Sequence, residues 1–433
     1  MTANDPPPGA PVVDYFEHNS PVYGAHRFEW FARIMEEQGP VAWSSLHGGY
    51  WIVIGARELG EALRDWETFS SMHAVGSDGM HAEIDGILFQ GMFMPPRAMA
   101  APMIESDPPE WTAPRKTLTP LFTPVAVERW RARIQTLVDA CIDRKIAAGT
   151  IDFAHDLANI VPAIFSLELA GVSPHRFEAT ARLYHVAAHL ASDDPQWAEL
   201  AEDATADRAL IAETLAARKR ERRHDVISAL LDARDKGATF TDDDIVGLAN
   251  FVIAAGIDTT GSLLASCFIL LTEQLEVREA LVANPALVLP AFDEFTRLYT
   301  PTQGLCRTVT KDTILGGQQL RRGDRAMMCF AAACRDPREF ENPGEFRLDR
   351  KPNTHFAFGG GNHRCLGSLF ARLEFEITLE TVLRRMPDFE VDLDAVRPFD
   401  NVGVVTGYRQ VPARFTPGER IGADPGIPGW KRV

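Results

Sequence analysis

The most informative segment of the chain reads Phe356-Ala357-Phe358-Gly359-Gly360-Gly361-Asn362-His363-Arg364-Cys365-Leu366-Gly367. Three consecutive glycines permit positive φ angles and let the backbone approach a flat ligand closely. Cys365 follows them, and the pattern after Gly367 predicts a helix over residues 368–385, whose N-terminal N–H groups and dipole favour a thiolate. The alternative is a plain glycine loop in which Cys365 is a small buried apolar residue. The joint spacing of Phe358, Cys365 and Gly367 argues against that alternative.

A second unusual segment lies inside the longest predicted helix. Thr241, followed by three aspartates, indicates an N-cap with an acidic first turn, and the apolar pattern continues to about Glu276. The helix is apolar on nearly all faces, so we expect it to be buried. Its middle nevertheless reads Ala254-Ala255-Gly256-Ile257-Asp258-Thr259-Thr260-Gly261. Helix propensity does not favour these residues, which indicates a functional constraint.

The composition is that of a globular protein, with 45% apolar and 24% charged residues and a net charge of −16. An acidic surface disfavours nucleic-acid binding, which needs a basic field. We see neither a secretory leader nor an uninterrupted apolar run of about 18 residues, so we expect a cytoplasmic protein without a membrane span. The six cysteines lack a C-x-x-C spacing, which predicts reduced thiols rather than disulfides or a zinc site.

Helical periodicity dominates the chain, and short strand patterns cluster after residue 305. The predicted fold class is therefore mostly α with a small β-rich part. We expect a flexible N-terminal tail over residues 1–20, one large domain over 21–417 and a C-terminal tail over 418–433, because both ends are rich in proline or glycine.

The glycine–cysteine segment resembles the cysteine loop of the cytochrome P450 family of haem-thiolate monooxygenases, whose pattern is Phe-x-x-Gly-x-x-x-Cys-x-Gly. Phe358, Gly361, Cys365 and Gly367 occupy the four fixed positions. The resemblance covers about residues 20–415. It implies the cytochrome P450 fold, a single large triangular domain with a long central helix over the haem. It further implies haem b (iron protoporphyrin IX) as cofactor, Cys365 as the axial ligand of the iron, and Phe358, Gly359 and Gly367 as loop residues that contact the cofactor.

The middle of the long helix looks like the oxygen-binding motif of that family. By this resemblance, Ala255 and Gly256 border the haem, and Gly256 lets the helix open locally to make room for dioxygen. Asp258 and Thr259 would deliver protons. The alternative is that Asp258 and Thr259 are polar residues tolerated inside a buried helix.

Three further residues match positions that bind the haem propionates in the family. Arg115 lies five residues after the Glu of Asp107-Pro108-Pro109-Glu110, and Arg307 and His363 match a later arginine and the histidine beside the thiolate. Trp111 replaces a common histidine. Pro114 falls where the family continues a regular helix, and an interior proline costs about 3 kcal/mol. We therefore expect this helix to start late or to bend.

The sequence also holds a Glu-x-x-Arg motif, Glu294 and Arg297. In an unknown helix such a pair is an exposed ion pair. The resemblance implies instead a buried pair that fixes the haem loop, joined by a downstream arginine, either Arg350 or Arg347.

The implied activity is insertion of one atom of O2 into a hydrophobic small molecule. We expect electrons from a separate ferredoxin and ferredoxin reductase, because the chain holds no flavin or dinucleotide motif, and we expect a monomer. Terpenoid, steroid-like, aromatic and fatty substrates remain open.

The Met-rich segment 72–103 predicts either an adaptable lid over the pocket or irregular packing. Candidate pocket-wall residues are Phe251, Val252, Ala255, Leu305 and Val404.

Three alternative functions share parts of this pattern. A peroxide-driven peroxygenase commonly lacks the Asp–Thr pair, and a non-catalytic thiolate-haem sensor has no need of it. A haem-free helical binding protein would make no use of Cys365.

Overall fold

The computed structural model describes residues 5–76, 79–97, 100–190, 194–400 and 404–431. Residues 1–4 and 432–433 of the predicted tails, and 77–78 and 98–99 of the Met-rich segment, lie outside the described residues. The helices are α1 (Pro21–Glu37), α2 (Ala56–Arg64), α3 (Thr112–Leu118), α4 (Pro124–Glu128), α5 (Arg131–Lys145), α6 (Ile160–Ala170), α7 (Phe177–Ala187), α8 (Trp197–Arg220), α9 (Val226–Asp235), α10 (Asp242–Glu273), α11 (Leu275–Ala283), α12 (Val288–Tyr299), α13 (Phe330–Ala333) and α14 (Ser368–Arg385).

The strands are much shorter than the helices. They are β1 (Val12–Val13), β2 (Val41–Ser44), β3 (Tyr50–Val53), β4 (Phe69–Ser70), β5 (Glu83–Ile84), β6 (Ile87–Leu88), β7 (Thr150–Asp152), β8 (Leu305–Val309), β9 (Thr313–Leu315), β10 (Gln318–Leu320), β11 (Arg325–Met328), β12 (Glu390–Val391), β13 (Arg397–Pro398), β14 (Tyr408–Gln410) and β15 (Pro412–Arg414). The prediction of a mostly helical chain with a small β-rich part is confirmed.

One compact unit, the first unit, comprises Met1–Ala113, Thr296–Cys365 and Asp400–Thr406. Its main sheet has the strand order β1-β2-β3-β11-β8-β4. Strands β2 and β3 pair antiparallel with Trp43 opposite Trp51, and the two indole rings meet edge to face at 5.3 Å. All residues of β2, β3 and β11 are buried, so this sheet has apolar cover on both faces.

The N-terminal segment contributes to this unit from Val12 onward. Strand β1 pairs parallel with β2, and Val13 and Phe16 are buried. This differs from the flexible tail that the sequence predicts over residues 1–20. Burial of Val13 and Phe16 stabilises the fold. Two apolar side chains in a proline-rich segment show no periodic pattern, so the sequence does not reveal this burial.

The second unit comprises Pro114–Phe295, Leu366–Phe399 and Gly407–Val433. Its longest element is α10, where Thr241 Oγ1 accepts the Asp244 N–H at 3.1 Å and Asp244 in turn accepts the Thr241 N–H, forming a capping box. Helix α6 packs against α10. Gly261 permits a close approach of the preceding segment, since a Cβ there would lie 2.9 Å from the Ala158 carbonyl oxygen.

Within the described residues, α10 is also the one helix that is long and apolar enough to cross a membrane. Of its most apolar stretch, 67% is buried inside the structure, which is the pattern of a core helix.

Two regions of the second unit differ from the sequence prediction. The helical periodicity of residues 151–171 predicts one helix, but the structure divides this range into β7, a π-helical turn (Phe153–Ala158) and α6, because Thr150–Asp152 pairs with β15. The C-terminal segment predicted as a tail packs on the unit: Asp143 accepts N–H groups of 421–423, and Trp430 packs against Phe177. Such long-range partners leave no mark in the local pattern.

Candidate active site

The glycine–cysteine loop is held in a tight backbone turn within the first unit. The Cys365 N–H donates to the Phe358 carbonyl oxygen at 2.9 Å, and the Gly359 N–H donates to the Phe356 carbonyl oxygen at 2.8 Å. Gly359 and Gly361 have φ angles of 65° and 59°, in the region that glycine adopts without strain. A Cβ on Gly361 would lie 1.8 Å from the Leu63 carbonyl oxygen, so this position excludes any other residue.

Cys365 is the exposed member of the six cysteines, and the other five are buried. Burial raises the pKa of all five other thiols, that of Cys141 to about 12, which keeps them protonated and inert. Gly367, two residues after Cys365, is the N-cap of α14. An accessible thiol in a glycine cradle just before a helix fits the axial ligand of the haem that the resemblance implies.

The predicted propionate residues Arg307 and His363 share one neighbour in the first unit. His363 Nε2 lies 4.0 Å from Asp107 Oδ1, and the Asp107 carboxylate also attracts the Arg307 guanidinium. Asp107 accepts hydrogen bonds from the Ser70 hydroxyl and from the Ser71 N–H. His363 therefore lies near the Asp107 carboxylate, and the charge of that carboxylate also acts on Arg307.

Arg307 is buried, and desolvation lowers its pKa to about 10. Its Nη1 donates to the Cys306 carbonyl oxygen at 2.8 Å, and it forms no ion pair with any residue that the structure describes. A buried guanidinium without an ion pair is costly, so this site fits a carboxylate supplied by a ligand, as a haem propionate would be.

Trp111 stands where the family commonly has a histidine. Its indole meets the His363 ring at 6.0 Å between centroids, nearly edge to face, so the substitution keeps an aromatic contact beside the thiolate loop.

Pro114 does not bend a helix. Helix α3 begins at Thr112, which puts Pro114 third in the helix, where the proline N–H is not needed by the helical hydrogen-bond pattern. Of the two alternatives, the late start is therefore correct. Arg115 follows directly in α3 and lies in the second unit, and its role in cofactor binding remains a prediction.

The middle of α10 combines buried and solvent-accessible positions. Ala255 is exposed and Thr259 is partly exposed, whereas Asp258 and Thr260 are buried. The Thr259 hydroxyl donates to the Ala255 carbonyl oxygen at 3.0 Å, which points its lone pairs outward. Thr259 and Thr260 thus differ in exposure, as their angular separation on the helix predicts.

Gly256 serves the packing of α10 in this structure. A Cβ at Gly256 would lie 2.5 Å from the Ser166 hydroxyl on α6. The helix runs without a break from Asp242 to Glu273, and the local opening implied at Gly256 remains a prediction. Close contact with α6 is one reason for a glycine at this position.

Asp258 has a partner that sequence reasoning missed. His185 Nδ1 lies 2.9 Å from Asp258 Oδ1, and Asn159 Nδ2 lies 3.0 Å from the same nitrogen. The partners are separated by 73 and 26 residues, and a lone histidine in an amphipathic helix gives no signal of such a contact.

The Glu-x-x-Arg motif is buried, which excludes the exposed-pair alternative. Glu294 is 2% exposed and Arg297 is 0% exposed. Arg297 donates to the carbonyl oxygens of Cys334, Pro343 and Glu345 at 2.8–3.1 Å.

The downstream arginine of this network is Arg350. It is buried and donates at 3.0 Å to the Glu345 carbonyl oxygen, which Arg297 also contacts. Arg347 instead pairs with the exposed Glu341 and Asp349. Of the two candidates that the sequence offers, Arg350 and not Arg347 joins Arg297 in this network.

The described part of the Met-rich segment is organised around Glu105. The Glu105 carboxylate accepts the N–H groups of Met92 and Ala101 at 2.5 and 2.7 Å and contacts His73 at 3.3 Å. Met92, Met94 and Met103 are buried, whereas Met80 is exposed. Glu105 escaped the sequence analysis because nothing local distinguishes it from a surface acid.

Comparison with known proteins agrees with this site. The family model described as Cytochrome P450 matches residues 201–408. The steroid C26-monooxygenase of Mycolicibacterium smegmatis is 32% identical over 73% of this chain and 79% of its own length. Cytochrome P450(MEG) of Priestia megaterium is 31% identical over 84% of this chain and 87% of its own.

Solved structures show the same relationship. Cytochrome P450 CYP109Q5 from Chondromyces apiculatus superposes with a TM-score of 0.79 at 25% identity, covering 94% of this chain and 99% of that one. The sequence relatives share enough identity over enough of their length to establish the family, and the superposition confirms the predicted fold. This chain belongs to the cytochrome P450 family and is a haem-thiolate monooxygenase that binds haem b through a cysteine thiolate.

Proposed function

We propose that this enzyme inserts one atom of O2 into a steroid-sized hydrophobic molecule in the cytoplasm, acting as a monomer with electrons from a separate ferredoxin and its reductase. The observation that carries the proposal is the exposed Cys365 thiol in a glycine loop that tolerates no side chain at Gly361. When bound, haem b supplies the redox centre at which O2 is activated.

Different residues of the chain hold different parts of this cofactor. Cys365 ligates the iron, and the loop residues Phe358, Gly359 and Gly367 keep the backbone close to the porphyrin. Arg307, His363 and Arg115 neutralise the propionates. The buried and unpaired guanidinium of Arg307 supports this assignment, because a ligand carboxylate would offset its desolvation.

Asp258 and Thr259 hold and move the protons that reduction of O2 consumes, beside Ala255 and Gly256. The outward lone pairs of Thr259 can hold a water molecule, and the buried Asp258 can supply a proton to it. This acid–alcohol pair favours O2 over peroxide as the oxidant, because peroxide already carries the protons and electrons.

A steroid or steroid-sized substrate is supported by the relatives named steroid C26-monooxygenase. The partly exposed apolar side chains Phe251, Val252, Leu305 and Val404 are of the type that lines such a pocket.

The test begins with the absorption spectrum of the purified, haem-loaded protein. Testosterone, linalool and palmitate are titrated separately, and the compound that most strongly shifts the main haem band becomes the reporter substrate. We expect testosterone to give the largest shift.

Turnover of the reporter substrate is then compared under two conditions. With NADH, a ferredoxin and a ferredoxin reductase, we expect oxygenated product in which one oxygen comes from labelled O2. Product with hydrogen peroxide alone, and none with the electron-transfer proteins, would identify a peroxygenase instead. Spectral binding without product under either condition would identify a sensor.

A further inference from the structure

The carboxyl group of Asp258 lies against a buried histidine. His185 Nδ1 is 2.9 Å from Asp258 Oδ1, and the two side chains are 7% and 8% exposed. His185 is on α7 and Asp258 on α10, so two helices of the second unit are joined by this contact. A buried carboxyl and imidazole at this distance must share a proton, since two lone pairs would repel each other.

The second partner of the imidazole favours one of the two positions of that proton, the one on Asp258. Asn159 Nδ2 is 3.0 Å from His185 Nδ1, and Asn159 Oδ1 points toward Gly261. An amide NH2 only donates, so Nδ1 accepts from Asn159 when the shared proton is on Asp258. When the proton is on Nδ1, the ring donates to the Asp258 carboxylate. In both arrangements one proton lies between Asp258 and His185.

The surroundings of His185 limit exchange of that proton with solvent. The ring packs on Phe399 at 5.2 Å between centroids, and the rings of His155 and His189 lie at 5.5 and 6.0 Å. His185 Nε2 is buried and has no hydrogen-bond partner among the residues that the structure describes. His155 is exposed. The titratable groups that face His185 are thus Asp258, from α10, His155, from the π-helical turn, and His189, which follows α7.

We propose that His185 is a positioning residue that keeps one proton available to Asp258 for each turnover. This inference rests on the proposed proton-donor role of Asp258. The Asp258 carboxylic acid releases its proton through O–H cleavage, leaving a carboxylate beside a neutral imidazole. The pair then regains one proton from water, on either Nδ1 or Oδ1. Only N–H and O–H bonds form and break, and no electron moves.

The proposal predicts that product formed per NADH depends on pH, and the shared proton determines the direction of the change. As the pH rises, the pair loses its proton, and Asp258 is left as a carboxylate without a donor beside it. Product formed per NADH consumed should therefore fall as the pH rises.

The first test replaces the imidazole by an amide that forms hydrogen bonds but does not titrate. His185→Gln should lower product per NADH about fivefold and remove most of its pH dependence. Binding of the reporter substrate and the carbon-monoxide spectrum should stay as in the wild type. His175→Gln is the matched control, because His175 is exposed and bonds only to Ser173 among the described residues.

A second variant leaves both members of the pair in place. Asn159→Asp puts a carboxylate beside Nδ1, which holds the proton more tightly and should move the fall in product per NADH to higher pH. Infrared difference spectra of the haem-loaded protein provide a readout independent of turnover. The protonated-carboxyl band that disappears in Asp258→Asn should titrate at higher pH in Asn159→Asp.

The outcomes of these experiments distinguish the role of His185 from that of Asp258. A wild-type pH profile in His185→Gln would overturn the proposal. If His185→Gln does not fold, an unchanged infrared midpoint in Asn159→Asp overturns it, and a shifted midpoint supports it. Asp258→Asn with normal product per NADH would refute the proposed role of Asp258 itself. An uncoupled Asp258→Asn beside an unaffected His185→Gln would refute only the role of His185.

Discussion

At the scale of single residues, Cys365 differs from the other cysteines by exposure alone. We expect Cys365→Ser to lose the strongly red-shifted band that the carbon-monoxide complex of a reduced thiolate haem shows, because a serine hydroxyl does not ionise at neutral pH. The measurement is the reduced carbon-monoxide difference spectrum. Cys334→Ser, a change at a buried thiol, should retain the band, and a wild-type protein without it would contradict the ligand assignment.

Thr259 and Thr260 are adjacent, yet one is partly exposed and the other is buried. Thr259→Ala should keep its affinity for the reporter substrate and its NADH consumption nearly unchanged, while product per NADH falls about tenfold and hydrogen peroxide accumulates. The reason is loss of the hydroxyl that holds a proton-carrying water. Thr260→Ala should stay coupled. Equal coupling in wild type and Thr259→Ala would exclude the proton-delivery role.

At the scale of elements, the network around Arg297 ties the end of α12 to the segment before the cysteine loop. Arg350→Ala removes donors from the carbonyl oxygens of Glu341, Asn342 and Glu345. A hydrogen bond from a charged donor contributes about 1.5–3 kcal/mol, and Glu345 keeps Arg297 as a donor, so we expect a loss of about 3 kcal/mol in the free energy of unfolding and a lower haem content.

Arg347→Ala is the matched control for this change. Arg347 pairs with the exposed carboxylates of Glu341 and Asp349, and removal of such a surface pair changes stability by less than about 1 kcal/mol. Urea denaturation and the haem-to-protein absorbance ratio measure both effects. Equal stability of the two variants would show that Arg350 has no special part in the network.

At the scale of the whole molecule, Glu374 in α14 is a fully buried carboxyl whose Oε2 has no partner among the described residues. Desolvation raises its pKa from 4.5 to about 8. The folded state therefore keeps a proton that the unfolded chain has released, and stability falls as the pH rises from about 4.5 to about 8. At about 1.4 kcal/mol per pH unit, this pKa difference corresponds to about 5 kcal/mol of stability.

Glu374→Gln removes the titration. We expect the variant to lack the decline in stability between about pH 5 and pH 8 that the wild type shows in urea denaturation. Glu376→Gln, in the same helix but paired with Arg131, should retain the wild-type slope. Parallel pH profiles of wild type and Glu374→Gln would show that this carboxyl is solvated.

Local patterns in the amino-acid sequence determined the family and most of the elements. The helix predicted over residues 368–385 matches α14, and the N-cap at Thr241 matches the start of α10. The positive φ angles of the glycine loop follow from the residue type. These features were predictable because an N-cap, a helical period and a glycine turn depend on neighbours within a few residues.

Only the tertiary structure decided which distant residues meet. It placed His185 on Asp258 across 73 residues, selected Arg350 over Arg347, and buried Val13 and Phe16 of a segment that reads as a tail. Burial and long-range hydrogen bonds arise from the packing of the complete chain. The same local pattern of charged residues can therefore form an exposed ion pair at one place and a buried hydrogen-bond network at another. For that reason the cysteine loop was recognisable from its sequence, whereas the partner of Asp258 was not.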